Sequence, residues 1–361
     1  MKHKLAIVLP SARGGGAERV LLNLLQTFKR DLFDLHLILI ENSGSYLDLV
    51  PQDVRLHTLG CDRVTKAMAR LAILLRKLRP TVIMSSMGHL NLALLLIRPF
   101  LSKRTRVLVR ESNMPSMSFA SGAKFTFFRL LYPLLYPSAD CIVCPGKAIK
   151  NELKRKFRIN ENKMVVIVNP VLVDDIRSKM LSNQNLLGEG STHLVASGSL
   201  TRQKGFDLLI TAMKKLWEIR TDVHLTIIGE GPEKNSLRDQ IVALHLENVV
   251  TLGGFQANPY PFFHYADLFV LSSRWEGLPN VVLESLACGT PVIAFNCPGS
   301  VSEIFDDPSQ GALVPPEDIE ALVKAIYQHI EMGKSSRKDS LLPKRYEAEL
   351  VIEQYKRVLT E

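Results

Sequence analysis

Short apolar runs alternate with amphipathic stretches along the chain. In the first half, LAIVL (5–9), LHLILI (35–40), TVIMSS (81–86), RVLVRE (106–111) and CIVC (141–144) have the length and β-branched content of strands. The intervening segments 17–28 and 64–78 read as helices. In the latter, Val64, Met68, Leu71, Leu75 and Leu78 recur at helical spacing, with Arg63, Lys66, Arg70 and Lys77 elsewhere on the turn. The second half repeats the pattern, with strands predicted at 193–198, 224–231, 249–254, 268–273 and 291–295 and helices at 205–218, 233–245, 280–288 and 317–331. Apolar strands each followed by a helix imply parallel sheets covered on both faces. Two such series predict an α/β protein with two Rossmann-like domains.

The join is expected near Asn169-Pro170, ahead of the polar stretch 182–192. It divides the chain into domains at 1–170 and 171–343. A further helix, about 344–361, follows the second series and is expected to cross back to the first domain. With 361 residues, 46% hydrophobic and 22% charged, there is material for two cores. The five cysteines (Cys61, Cys141, Cys144, Cys288, Cys297) form no dense framework, which favours a reducing compartment. The apolar run near the N-terminus is too short for a signal-peptide core, and no run approaches the ~20 residues that span a bilayer. A cytoplasmic protein is expected.

Net charge is +9, unevenly spread. Residues 1–170 hold 27 basic and 11 acidic side chains, a net of +16, and the remainder is at −7. The basic residues concentrate at Arg63–Arg79, Arg98–Arg110 and Lys147–Arg158. Three such clusters in one half favour an anionic surface or substrate as partner. No zinc-finger spacing or RNA-binding signature accompanies them, so nucleic acid is not expected. The segment KFTFFRLLYPLLY (124–136) mixes aromatics with Lys124 and Arg129 and fits either a buried helix or a membrane-docking face.

Three loops carry candidate chemistry. After the first strand, Gly14-Gly15-Gly16 precede a helix, where glycines permit close backbone approach and a helix N-terminus offers N–H groups to an anion. The spacing matches neither the dinucleotide fingerprint nor the Walker pattern, which disfavours a dehydrogenase. In SGSLTRQKGFDLLI (197–210), Arg202 and Lys204 flank a turn at the carboxyl edge of the second sheet, and two cations there suit a diphosphate. In SSRWEGLPNVVLESLACGTPVIAF (272–295), Pro279 suits the first turn of a helix and Gly289 its end. Amides near Leu278, Asn280 and Val281 would then point at a phosphate or sugar. Glu276 lies in the loop and Glu284 inside the helix, among residues that should be buried.

The segment E-G-L-P-N-V-V-L-E (276–284) followed by S-L-A-C-G-T-P-V-I-A resembles the E-x7-E region of retaining GT-B glycosyltransferases of glycosyltransferase family 4. GGGAERV (14–20), NPV (169–171), KGFDLLI (204–210), IIGEGPE (227–233), VTLGGF (250–255) and ADLFVLSS (266–273) agree in order. The resemblance is dense over 195–305 and looser over 40–165. It implies two Rossmann-like domains facing across a cleft, with the nucleotide sugar on the C-terminal domain and the acceptor on the N-terminal one. It implies that Lys204, assisted by Arg202, meets the donor diphosphate. Glu276 would contact the donor sugar and Glu284 the ribose. Leu278, Pro279 and Asn280 would line sugar and phosphate, Gly15 and Gly16 would close on the phosphates, and the main chain at Val250 would meet the base. One departure stands out: Gly198-Ser199-Leu200 replaces the family's frequent Gly-Arg-Leu, leaving Arg202 as the candidate substitute.

Cleavage of the C1–O bond leaves an oxocarbenium-like sugar and a dianionic diphosphate, which fixed cations and helix N-termini stabilise. The sequence contains no Asp-x-Asp, so Lys204 and Arg202 are expected to do the work of a metal, with no cofactor beyond the donor itself. No protein nucleophile stands out, and the resemblance implies front-face transfer with retention. His89, Glu111 and Asn113 follow predicted strand ends in the first half and are acceptor-side candidates. The expected activity is transfer of a hexosyl or N-acetylhexosaminyl unit, from a UDP-sugar, to a saccharide or lipid-linked glycan acceptor. The expected location is the inner face of the cytoplasmic membrane, with the basic half on anionic lipid. The alternatives are a GT-B nucleotide-sugar epimerase or hydrolase, and a non-catalytic subunit that binds sugar nucleotides.

Overall fold

A computed structural model describes residues 2–118, 123–181, 187, 191–333 and 339–361. Most of the polar stretch 182–192 and the side chains of Lys124 and Arg129 lie outside the described residues. The chain divides into two units: residues 1–170 with 347–361, and residues 171–346.

In the first unit, β1 (His3–Leu9), β2 (Phe33–Leu39), β3 (Arg55–Thr58), β4 (Val82–Ser86), β5 (Arg106–Arg110), β6 (Cys141–Cys144) and β7 (Met164–Val166) form a parallel sheet ordered β3-β2-β1-β4-β5-β6-β7. Its helices are α1 (Gly16–Thr27), α2 (Val64–Leu78), α3 (Gly88–Ile97), α4 (Pro115–Ser118), α5 (Ala123–Leu135) and α6 (Lys147–Phe157). The second unit adds α7 (Val173–Met180), α8 (Phe206–Ile219), α9 (Lys234–Ala243), α10 (Tyr260–Tyr265), α11 (Asn280–Ala287) and α12 (Ile319–Glu331). Its strands are β8 (Thr192–Ser197), β9 (Val223–Ile228), β10 (Val250–Gly254), β11 (Leu268–Leu271), β12 (Val292–Phe295) and β13 (Gly311–Val314), in the order β10-β9-β8-β11-β12-β13. A last helix, α13 (Ala348–Thr360), belongs to the first unit.

β1 shows why the strands are apolar throughout. Leu5, Ile7 and Leu9 enter a core shared with α1 and α13, and Ala6 and Val8 enter a second core under α2, α3, α5 and α6. Each fully buried leucine or isoleucine contributes roughly 1.5–3 kcal/mol. On α2, Leu71 and Leu75 are buried and Val64, Met68 and Leu78 pack against the same core, which is the periodic face.

In each sheet the strand order reverses direction once, between β1 and β4 and between β8 and β11. Ligands of open α/β sheets bind at the carboxyl ends of the strands at this switch point. Three strands escaped the sequence pattern: β3, β7 and β13. All are sheet edges of three or four residues, and β3 is largely exposed. β3 (RLHT) and β13 (GALV) are packed on fewer sides and carry a weak apolar signal, whereas β7 opens the apolar run MVVIV (164–168), whose signal is as strong as that of an interior strand. α3 escaped for the opposite reason, being buried almost all round and so lacking an amphipathic period.

Candidate active site

The second unit gathers its polar groups at its switch point. β8 and β11 are neighbours in the sheet, with Leu194 opposite Leu268. The loops that follow them carry Lys204 and Glu276, 72 residues apart in sequence, and the Lys204 Nζ donates to the Glu276 Oε1 at 2.5 Å. Glu276 is 4% exposed and also accepts from the Ser273 Oγ at 2.7 Å. The lysine stem lies over Gly198, where an added Cβ would sit 3.0 Å from its Cε. A carboxylate taken this far out of water requires its cation.

Hydrogen bonds to main-chain carbonyls stitch these loops together. Arg274 N donates to Gln203 O at 2.7 Å, Gln203 Nε2 to Trp275 O at 2.9 Å, and Ser272 Oγ to Lys204 O at 2.9 Å. The loop after β12 joins from the other side, with Glu276 N on Pro298 O and Ser300 N on Gly277 O. Two glycines permit this closeness. A Cβ on Gly205 (φ +62°) would lie 2.1 Å from Ser272 O, and one on Gly299 (φ +135°) 2.0 Å from Glu276 O. Both are left-handed positions where other residues are strained by about 1–3 kcal/mol, before any collision is counted. Gly299→Ala is therefore expected to lower the melting temperature by about 5 °C in scanning calorimetry; an unchanged transition would mean that the loop relaxes freely.

The helix amides predicted for this edge are present in outline. α11 starts at Asn280, after buried Leu278 and Pro279, at the carboxyl edge of β11. Glu284 is buried in α11, and after burial itself its charge is the main influence raising the neighbouring Cys288 thiol. Arg202 shares the turn with Lys204, but its side chain is exposed. Val250 is the first residue of β10 and 3% exposed, at the amino end of its strand, whereas Lys204 and Glu276 lie at the carboxyl edge of the sheet.

Sequence reasoning missed the scaffold of this site. Arg274 forks onto both Asp207 oxygens at 2.8 and 2.7 Å, donates to the Arg202 carbonyl at 3.0 Å, and reaches Glu317 at 3.1 Å. That guanidinium holds the Asp207 carboxyl below its ordinary range. Neither residue stands in a distinctive motif, and only the fold shows that they clamp the Arg202–Lys204 turn to the start of α8.

In the first unit, Gly15, Gly16, His89, Glu111 and Asn113 all follow strand ends at the carboxyl edge of the sheet. Gly15 and Gly16 are exposed at the start of α1. Glu18, not singled out before, folds back over the same turn; a Cβ on Gly15 would meet its Oε2 at 2.1 Å. This is half of a capping box. Burial raises the Glu18 pKa, while the amides of Glu18 and Gly15 and the charge of Arg13 oppose the rise. His89 is exposed at the first turn of α3, and the Asn113 Oδ1 accepts from Met114 N at 2.8 Å.

Glu111 is 2% exposed, and its Oε1 accepts from the hydroxyl of Tyr136, from Tyr132 Oη at 3.3 Å and from Asn91 Nδ2 at 3.4 Å. Burial pushes its pKa up to about 7. Glu111 follows Arg110 on β5, and alternation sends the two side chains to opposite faces of the sheet.

Family models match both parts of the chain: Glycosyltransferase Family 4 over residues 14–175 and Glycosyl transferases group 1 over residues 178–340. The N-acetylgalactosamine-N,N'-diacetylbacillosaminyl-diphospho-undecaprenol 4-alpha-N-acetylgalactosaminyltransferase of Campylobacter jejuni is 30% identical over 344 residues, covering 92% of this chain and 91% of that protein. The amylovoran biosynthesis glycosyltransferase AmsD of Erwinia amylovora is 24% identical, with 84% of each chain covered. Among solved structures, HepE of Anabaena in complex with UDP-glucose shares the fold with a TM-score of 0.83 at 19% identity, over 99% of each chain. The two parallel sheets, the paired family models and a relative matched over nine-tenths of its length agree: this chain belongs to the group 1, family 4 glycosyltransferases and has their GT-B fold.

Proposed function

We propose that the protein is a retaining, metal-independent transferase that moves a hexosyl or N-acetylhexosaminyl unit from a UDP-sugar to a saccharide or lipid-linked glycan acceptor. The observation that carries this reading is the Lys204–Glu276 pair at the switch point of the second sheet. A dianionic diphosphate arriving there competes for the ammonium group, and Lys204 turned to the phosphates leaves the Glu276 carboxylate for hydroxyls of the sugar. Arg202 supplies a second cation from the same turn. Glu284 takes the ribose hydroxyls and Leu278 to Asn280 line sugar and phosphate; on the first unit, Gly15 and Gly16 are the candidates for phosphate contact. His89 and Asn113 are the acceptor-side candidates.

In the transfer step the bond from C1 to the diphosphate oxygen breaks. The acceptor hydroxyl adds to C1 on the same face, and its proton passes to the departing phosphate. The products are UDP and a glycoside with the donor's anomeric configuration. Fixed cations at the leaving group act where charge develops, each worth about 3 kcal/mol in such sites.

The C. jejuni relative's name specifies an acceptor on diphospho-undecaprenol. A membrane-borne acceptor also suits this chain's first unit, where Lys103, Arg104, Lys154, Arg155 and Arg158 are exposed and the apolar Phe100, Leu130 and Leu134 stand in solvent. Arg98 and Arg110 contribute less to that surface: the first is paired with Asp140 and the second is buried. Among the described residues, no helix is long and apolar enough to cross a membrane.

The test is a panel of nucleotide sugars, with and without lipid-linked acceptors, in the presence of EDTA. UDP-sugar consumption that depends on acceptor and survives EDTA, giving an α-glycoside from an α-donor by the anomeric NMR coupling, is expected. An inverted product, loss of activity on chelation, or turnover without acceptor would overturn the corresponding part. Salt-sensitive sedimentation with anionic liposomes checks the membrane surface.

A further inference from the structure

Arg110 is the largest of the fully buried side chains, at 1% exposure, and among the described residues it makes no ion pair. Each of its three nitrogens instead donates to a neutral oxygen on a different segment. Nη1 reaches the Ser86 Oγ at the end of β4 at 3.2 Å, Nε reaches the Tyr355 hydroxyl on α13 at 3.2 Å, and Nη2 is bonded to the Asn169 Oδ1. Ser86, Tyr355 and Asn169 are themselves buried. A buried cation without a carboxylate is costly. What a guanidinium offers in return, and an ammonium does not, is a rigid planar fork with fixed donor directions.

The segments it joins are the ones that leave the unit. The chain passes between units only at 170/171 and 346/347. Asn169 precedes the first passage, and Tyr355 lies on the helix that follows the second. On the first unit's side the Pro170 carbonyl is also held, by Asn23 Nδ2 of α1 at 3.3 Å. On the other side the two passages are tied to each other by Val171 N on Tyr346 O at 2.8 Å, and Arg345 is fixed to Asp306. The covalent links between the units are confined to these two passages.

We propose that Arg110 is a positioning residue for glycosyl transfer: one buried guanidinium fixes where both chain passages leave the first unit, and so sets the pivot about which the donor-bearing unit moves. The assignment rests on the functional reading above, because it requires both units to take part in one reaction. Arg110 touches no substrate and acts through the two passages.

Two variants test it. Tyr355→Phe removes one hydroxyl from the hub, and Arg110→Lys keeps the charge while removing the fork. Tyr355→Phe is expected to lower the turnover number of transfer about fivefold, the effect of one hydrogen bond, and Arg110→Lys to lower it further. UDP affinity, which the second unit would supply, should stay within about twofold for both variants. A purely structural role would lower the melting temperature and leave turnover per folded molecule, and the unit-to-unit distance distribution, unchanged.

That distribution supplies a readout independent of activity. Spin labels at Gln52→Cys and Asp239→Cys, both exposed positions, in a Cys61→Ser background report the distance between units. Both hub variants should broaden the distribution, with and without UDP. A width identical to that of the parent protein overturns the proposal even if no nucleotide sugar proves to be a substrate. Failure to bind or turn over any nucleotide sugar, with broadening intact, overturns the functional reading instead.

Discussion

Lys204→Met is expected to lower the turnover number with saturating donor by two to three orders of magnitude, the range seen when one fixed charge-stabilising group is removed from a transition state. The methionine keeps the length of the stem that lies over Gly198 but ends it without charge. The same change strands Glu276, 4% exposed, with the Ser273 hydroxyl as its remaining side-chain donor among the described residues. Breaking a buried ion pair from one side typically costs about 3–5 kcal/mol of stability, so a loss of activity alone would be ambiguous. The double variant Lys204→Met/Glu276→Gln resolves it. With neither charge present the fold should recover most of its stability by scanning calorimetry, while turnover stays low. A double variant with parental stability and turnover within about threefold of the parent would remove Lys204 from the chemistry.

The second large effect concerns pH. Glu111 titrates at about 7 in the folded protein, against an ordinary 4.5, because burial disfavours its charged form. The groups around it are the phenols of Tyr132 and Tyr136, both held neutral well above 10, the Asn91 amide, and more distantly Glu152 and the Cys144 thiol. A carboxyl whose folded pKa is raised binds more protons folded than unfolded between those two values. Its stabilising contribution is therefore complete below about pH 4.5 and is lost as pH rises through about 7. The full difference is about 3 kcal/mol. Glu111→Gln should leave urea stability nearly unchanged at pH 5, raise it by about 2–3 kcal/mol at pH 8.5, and remove that pH slope. A slope that persists in the glutamine variant would assign it to another group.

The alternation of strand and helix was legible because interior parallel strands must be apolar on both faces, as β1 is. β3 and β13 were not, since an edge strand need not be. The same contrast runs through the site. Lys204 and Glu276 stand in motifs with a distinctive local sequence, and the sheet order that brings their loops together follows from two parallel series with one reversal. Arg274 and Asp207 could not be found this way: nothing local distinguishes a clamp from two solvated charges until β8 and β11 are neighbours. Arg110 stood in sequence as part of a basic cluster and Glu111 as an acceptor-side candidate; their burial on opposite faces with neutral partners depends on the sheet and its covering helices.

α13 closes a core that begins with β1. Val351, Ile352, Tyr355 and Leu359 pack with Leu5, Ile7, Leu9 and the leucines of α1. On the ribosome those early strands emerge first, and the helix that seals them is made only after the whole intervening unit has been synthesised. At 5–20 residues per second that interval is roughly 10–35 s, far longer than a small domain needs to fold. The nascent first body must therefore wait with one flank of its sheet uncovered. The second unit, whose segments are contiguous, has everything it needs to mature first, so the part of the chain made later is the part able to finish earlier.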